Sequence, residues 1–143
     1  MTKLPSTKDS YSRTRQDHST ETAEDYVEAI YEIIEAKGAC RAVDLAEQFG
    51  VSHVTVSKIV SRLDTDGLVE APAYRPIALT TEGKSMAARV RKRHELVYSF
   101  LIAIGVDAKN AAIDSEGIEH HVSSKTLARM RAFVEERNGE PSC

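Results

Sequence analysis

The glycine hinge in Leu45-Ala46-Glu47-Gln48-Phe49-Gly50-Val51-Ser52 constrains the fold more than any other stretch of the chain. Residues 41–49 read as a short helix that Gly50 ends, and a second helix starts almost at once. Ser52 is a good N-cap, and Val56, Ile59, Val60 and Leu63 recur at helical spacing behind it. Two short helices joined through a glycine turn, the second opening on small polar residues, form a helix-turn-helix signature.

The flanking sequence extends this motif. Upstream, Tyr26, Ile30, Ile33 and Ile34 form the apolar stripe of a helix that opens at Glu21 or Thr22 and stops at Gly38. Downstream, Asp66-Gly67 marks a stop, and residues 68–70 and 77–80 read as short strands around Ala71-Pro72-Ala73-Tyr74-Arg75-Pro76, a β-ribbon wing. A long helix capped by Thr80 or Thr81 begins near Glu82, with Met86, Ala87, Val90, His94, Val97, Leu101 and Ile104 spaced to pack before Gly105. Residues 108–122 and 124–136 predict two further amphipathic helices, as expected of elements that bury a face against a second subunit. The expected fold is mainly α: a winged helix-turn-helix of three helices plus a two-stranded wing over 21–80, then a helical dimerisation and metal-binding domain over 81–138. Residues 1–20, rich in Ser, Thr and charge with little apolar content, are expected as a flexible tail, and 139–143 as another.

Composition narrows the function classes. No stretch reaches the roughly 20 apolar residues that span a bilayer, and the N-terminus has no apolar signal core, so the expectation is a cytoplasmic protein with no membrane partner. Cys40 and Cys143 form no CxxC pattern, which argues against a thiolate zinc site, and Cys40 reads as a small buried filler. The net charge of −3 is uneven: residues 50–93 hold 8 basic and 4 acidic side chains, the remainder being acidic. A cationic middle in an acidic chain suits a polyanion surface, although the run Arg89-Val90-Arg91-Lys92-Arg93 is equally compatible with a solvated helix face.

On the helix 53–65, Ser52, Val54, Thr55, Ser57 and Lys58 are placed to face base edges in a major groove. Val54 and Thr55 suit thymine methyls, and Lys58 a guanine edge or a phosphate. Arg62 and the wing residue Arg75 are expected on phosphates, adding affinity and salt dependence without sequence information.

A second constellation lies nearer the C-terminus. In Glu116-Gly117-Ile118-Glu119-His120-His121, spacings of three and four residues put two carboxylates and an imidazole on one helical face. Such a cluster is either well solvated or a place where a divalent cation supplies the missing positive charge. Asp25 and Glu28 form another i, i+3 pair, and His94 ends the basic run. Carboxylates and imidazoles without sulfur are a hard donor set that suits Mn(II) but does not exclude Zn(II), Cu(II) or Co(II). His121 points about 100° away from His120 on a helix and is left structural. His94-Glu95 continues to Leu96-Val97-Tyr98, so there is no HExxH motif and no catalytic residue is assigned.

In the order of these motifs the chain resembles the metal-dependent repressors of the diphtheria-toxin-repressor type, and within them the manganese transport regulators. The resemblance covers residues 21–136 and rests on Glu24-Asp25-Tyr26-Val27-Glu28, on Val51-Ser52 with Thr55-Val56 and Lys58, on Arg93-His94-Glu95, and on the Glu116–His121 motif. It implies a site for two Mn(2+) per subunit made by Asp25, Glu28, His94, Glu116, Glu119 and His120. Iron-sensing relatives carry a methionine and a cysteine where this chain has Asp25 and Glu116, which favours manganese. It further implies a homodimer whose heads, with metal bound, settle at the one-turn spacing of a palindromic double-stranded operator, roughly 34 Å, repressing manganese uptake genes. A winged-helix regulator answering to Fe(II) or Zn(II) is the alternative. No SH3-like domain of the iron-sensing kind is expected after the last helix.

Overall fold

The computed structural model describes residues 8–139, with side chains described from Thr20 onward. It is mainly helical, in the order α1 (Lys8–Lys37), α2 (Ala42–Phe49), α3 (His53–Thr65), β1 (Val69–Glu70), β2 (Ala78–Leu79), α4 (Thr81–Ala103), α5 (Ala108–Ile118), a single 3₁₀ turn (Glu119–His121) and α6 (Ser124–Arg137). Two compact units divide the chain: Thr22–Arg91, and the described parts of Met1–Glu21 and Lys92–Cys143. The division falls inside α1 and α4.

The Thr22–Arg91 unit is the winged helix-turn-helix. Tyr26, Ile30 and Ile33 of α1, Leu45 of α2, Val56, Val60 and Leu63 of α3, and Val69 and Ile77 from the wing close one core. Burying a side chain such as Leu45, fully removed from solvent, contributes roughly 1.5–3 kcal/mol. The ring of Tyr26 stacks on Phe49 with centroids 4.3 Å apart, fixing the end of α2 against α1. Gly50 takes φ 63°, the left-handed conformation that lets the chain leave α2 and enter α3 after two residues. Ser52 caps α3 as expected, its hydroxyl accepting the Thr55 N–H at 3.2 Å. The wing is antiparallel, with Val69 opposite Leu79 and Glu70 opposite Ala78, and Cys40 adds a backbone bridge to Ile77. Cys40 is fully buried as a filler, and burial pushes its thiol up to about 11. Thr80 accepts the Gly83 N–H at 3.1 Å and opens α4.

In the second unit Val97, Leu101 and Ala111 are buried together, with Tyr98, Phe100, Leu127 and Met130 packed around them. Phe100 meets Phe133 edge-on at 5.5 Å.

Several expectations are corrected. Residues 8–20 are helical, part of α1, rather than a flexible tail. No glycine or proline interrupts 8–37, and a helix nucleated on the apolar stripe after Thr22 extends through polar residues at little cost per residue; the missing apolar pattern hid it. The expected helix 108–122 ends at Ile118 and tightens into the 3₁₀ turn. Ile104 is 51% exposed rather than packed. The tails at 1–7 and 140–143, Cys143 included, lie outside the described residues.

Candidate metal centre and nucleic-acid face

Three acids line up on α1: Glu21, Asp25 and Glu28, each one turn from the next and all half-buried. On the opposite stripe Tyr26, Ile30 and Ile33 hold the winged core. The local reason is periodicity: apolar residues claim one face, and the acids fall on the flank that the core leaves open.

The Lys92–Cys143 segment carries donor groups of its own. His94 of α4 has Nε2 3.2 Å from Ser115 Oγ, while that hydroxyl reaches the Ala112 carbonyl at 3.1 Å. A carbonyl cannot donate, so the hydroxyl proton belongs to Ala112, and Nε2–H then donates to Ser115. That tautomer leaves the Nδ1 lone pair of His94 for a ligand. One donor atom of His94 lies within 4.8 Å of one from Glu119.

Glu119 is 2% exposed, and its Oε1 is 3.2 Å from Nε2 of the equally buried His120. A carboxylate stripped of water in this way needs positive charge close by. His120 supplies it only when protonated, whereas a divalent cation would do so with both side chains as ligands. The donors fit a hard cation, and no sulfur stands among them.

Glu116 is exposed, and it stands outside the groups of donor atoms that gather among the described residues. The reason is the rotation of α5: Ser115 and Glu119, four residues apart, turn inward, which leaves Glu116 about 100° off that line. Conversely, the sequence marks Glu21 only as a helix start. Its signal was available, since it lies four residues before Asp25. One of its donor atoms is within 4.8 Å of one from His120, and its Oε2 is 3.1 Å from Nε2 of His121. Ser115 was also missed, because a lone serine in a helix carries no spacing signal.

The α3 residues singled out for DNA all lie on the solvent side: Ser52, Val54, Thr55, Ser57, Lys58 and Arg62 are exposed, opposite buried Val56, Val60 and Leu63. Val54 is 64% exposed, an apolar side chain left open on the first turn. Ser52 and Thr55 share a hydroxyl contact at 3.1 Å, so both also serve the cap. Arg75 is exposed on the wing loop beside Tyr74, which is 100% exposed at φ 63°. A groove bordered by Arg41, Ser57, Ser61, Pro72, Tyr74 and Arg75 joins the wing and α3 in one surface. Among the described residues no helix is long and apolar enough to cross a membrane.

Comparison with known proteins identifies the family. The family model for the iron-dependent repressor N-terminal DNA-binding domain matches residues 18–77, and that for the metal-binding and dimerisation domain of the same family matches residues 80–142. The transcriptional regulator MntR of Escherichia coli O157:H7 is 41% identical over 130 residues, 91% of this chain and 84% of that protein. MntR of Bacillus subtilis strain 168 is 42% identical over 117 residues, 82% of each. A solved manganese-dependent transcriptional repressor in complex with manganese superposes with a TM-score of 0.71 at 30% identity, over 83% of this chain. The chain spans 53% of the length of that solved protein, about half. The chain belongs to the iron-dependent repressor family, a DNA-binding domain followed by a metal-binding and dimerisation domain, and is one of its transcriptional regulators rather than an enzyme.

Proposed function

We propose that this regulator is a manganese-responsive repressor that binds a palindromic operator as a homodimer and controls manganese uptake genes. In this reading two Mn(2+) per subunit are held by Asp25, Glu28, His94, Glu116, Glu119 and His120. The observation that carries it is the buried Glu119, within 4.8 Å of His94 and 3.2 Å from His120, in a donor set of oxygen and nitrogen alone. Glu116, one turn before His120 and exposed, is the donor that must swing inward to join.

When bound, the cation supplies the positive charge that lets these carboxylates approach one another. Asp25 and Glu28 sit on the helix whose other face builds the winged core, whereas His94, Glu119 and His120 belong to the second unit. Ligation from both sides ties the DNA-reading unit to the dimerising unit. Without it, carboxylates of like charge hold the arrangement loose and the two α3 helices of a dimer sample many separations; with it, the population shifts to the separation a palindrome needs. Ser52, Val54, Thr55, Ser57 and Lys58 then face the bases, while Arg62 and Arg75 hold phosphates.

The family model is described for iron, and imidazole donors bind Zn(II) more tightly than Mn(II); a regulator answering to Fe(II) or Zn(II) is therefore the second reading. Fluorescence anisotropy of a palindromic operator titrated with the protein under Mn(II), Fe(II), Zn(II) and Mg(II) decides between them. The expected outcome is at least about tenfold tighter binding with Mn(II) than with Mg(II), a coupling of about 1.4 kcal/mol. Equal affinity under all four metals would overturn the metal-responsive reading.

A further inference from the structure

The 3₁₀ turn Glu119–His121 presents two consecutive histidines, of which the ligand scheme uses one. His121 is occupied: its Nε2 is 3.1 Å from Glu21 Oε2, the histidine side chain being 37% exposed and the glutamate 26%. Glu21 in turn has a donor atom within 4.8 Å of one from His120. Adjacent histidines therefore flank one carboxylate. Glu21 also precedes Asp25 by one turn on α1, so its carboxylate extends the stripe of the α1 ligands rather than standing apart from it.

We propose that Glu21 is a further metal ligand in this chain, joining His120 at one of the two ions, with His121 as its positioning residue. The inference rests on the metal-binding reading above and adds a donor to it. A carboxylate carries two oxygens, so one can face His121 Nε2, 3.1 Å away, while the other ligates. Fixing one oxygen removes rotamers that the carboxylate would otherwise lose on binding, the usual role of a partner behind a ligand. The extra carboxylate has two chemical consequences. It hardens the donor set of that ion, favouring Mn(II) over softer ions. It also sets like charges one turn apart at Glu21 and Asp25, a repulsion that a cation between them removes.

The alternative is a surface Glu–His pair with no part in binding. Isothermal calorimetry of Mn(II) into the full chain, with frozen-solution EPR of the bound ion, separates the two. Glu21→Gln keeps the shape and a contact to His121 while removing the charge. It is expected to weaken one of the two Mn(II) ions by about tenfold or more, to alter that ion's EPR spectrum and to leave the other unchanged. His121→Ala is expected to shift the same ion in the same direction by less. Melting of the metal-free proteins checks that the variants fold. If the Glu21→Gln isotherm and spectrum superpose on the wild type, the inference is overturned while the function stands. If the wild type takes up no Mn(II), the function reading fails and the inference with it.

Discussion

Two glycines predict opposite effects of the same substitution. Gly83, in the first turn of α4, is buried against the wing: a Cβ there would run into the Leu68 carbonyl oxygen and stand 3.1 Å from both the Leu68 carbonyl carbon and Leu79 Cδ2. That carbonyl already accepts the Thr80 N–H at 3.1 Å, so relief requires moving the wing or the start of the helix. Overpacking costs about 1–3 kcal/mol, and a backbone obstacle places Gly83→Ala near the top of that range. Ala is the better helix former by at most about 1 kcal/mol. The net loss is therefore about 2 kcal/mol, which lowers the melting temperature of a chain this size by about 4–8 °C. Gly117, inside α5, has nothing within 4 Å of its Cβ position. Gly117→Ala keeps the propensity gain without the clash and raises the melting temperature by about 2–4 °C. Thermal melts of both variants by far-ultraviolet circular dichroism test the pair. A rise for Gly83→Ala equal to that for Gly117→Ala would refute the packing of α4 on the wing.

Further outcomes follow from the DNA face and the core. Arg75→Ala removes one phosphate contact per subunit, and each contact contributes about 0.9 to the salt slope; the slope of log K against log salt for a dimer becomes shallower by about 2 in anisotropy titrations across a salt series. Weaker binding at an unchanged slope would instead assign Arg75 to base readout. For Cys40, burial and the nearby Asp44 charge raise the thiol to about 11. Its folded value is above its unfolded one, so the stabilisation it contributes is complete below the unfolded value and lost as pH rises through the folded one. In a Cys143→Ser background, the thiol is expected to resist DTNB at pH 8 in the native protein and to react at once in denaturant.

The winged module was legible because each of its turns carries local chemistry. Gly50 needs a left-handed conformation, Ser52 has a backbone N–H to accept, and the Val56-Val60-Leu63 stripe repeats at helical spacing. Residues 8–20 were not legible, since a polar stretch with little apolar content has the same composition whether it is a helix or a tail. The His94, Glu119 and His120 donors were recognised from their order and motif context, and His94 and Glu119 do approach each other. Glu116 and Glu21 mark where spacing alone does not decide which acid turns inward. Equal i, i+3 arithmetic applies to Glu116 and Glu119, yet only Glu119 turns inward, because Ser115 and Ala111 set the buried face of α5. For Glu21, pairing with Asp25 was visible four residues away, but its second partner, His121, is a hundred residues distant in sequence and emerges only in the folded unit.

The account depends on donors from α1 and from the Lys92–Cys143 segment sharing the same ions. The most direct measurement is the operator dissociation constant with and without Mn(II) for the wild type, Asp25→Asn and Glu119→Gln. The prediction is a Mn(II) effect of about tenfold or more in the wild type that disappears in both variants alike. A full Mn(II) response in Asp25→Asn beside a lost one in Glu119→Gln would show that Asp25 takes no part in the response, contradicting the coupling of metal to DNA binding proposed for this chain.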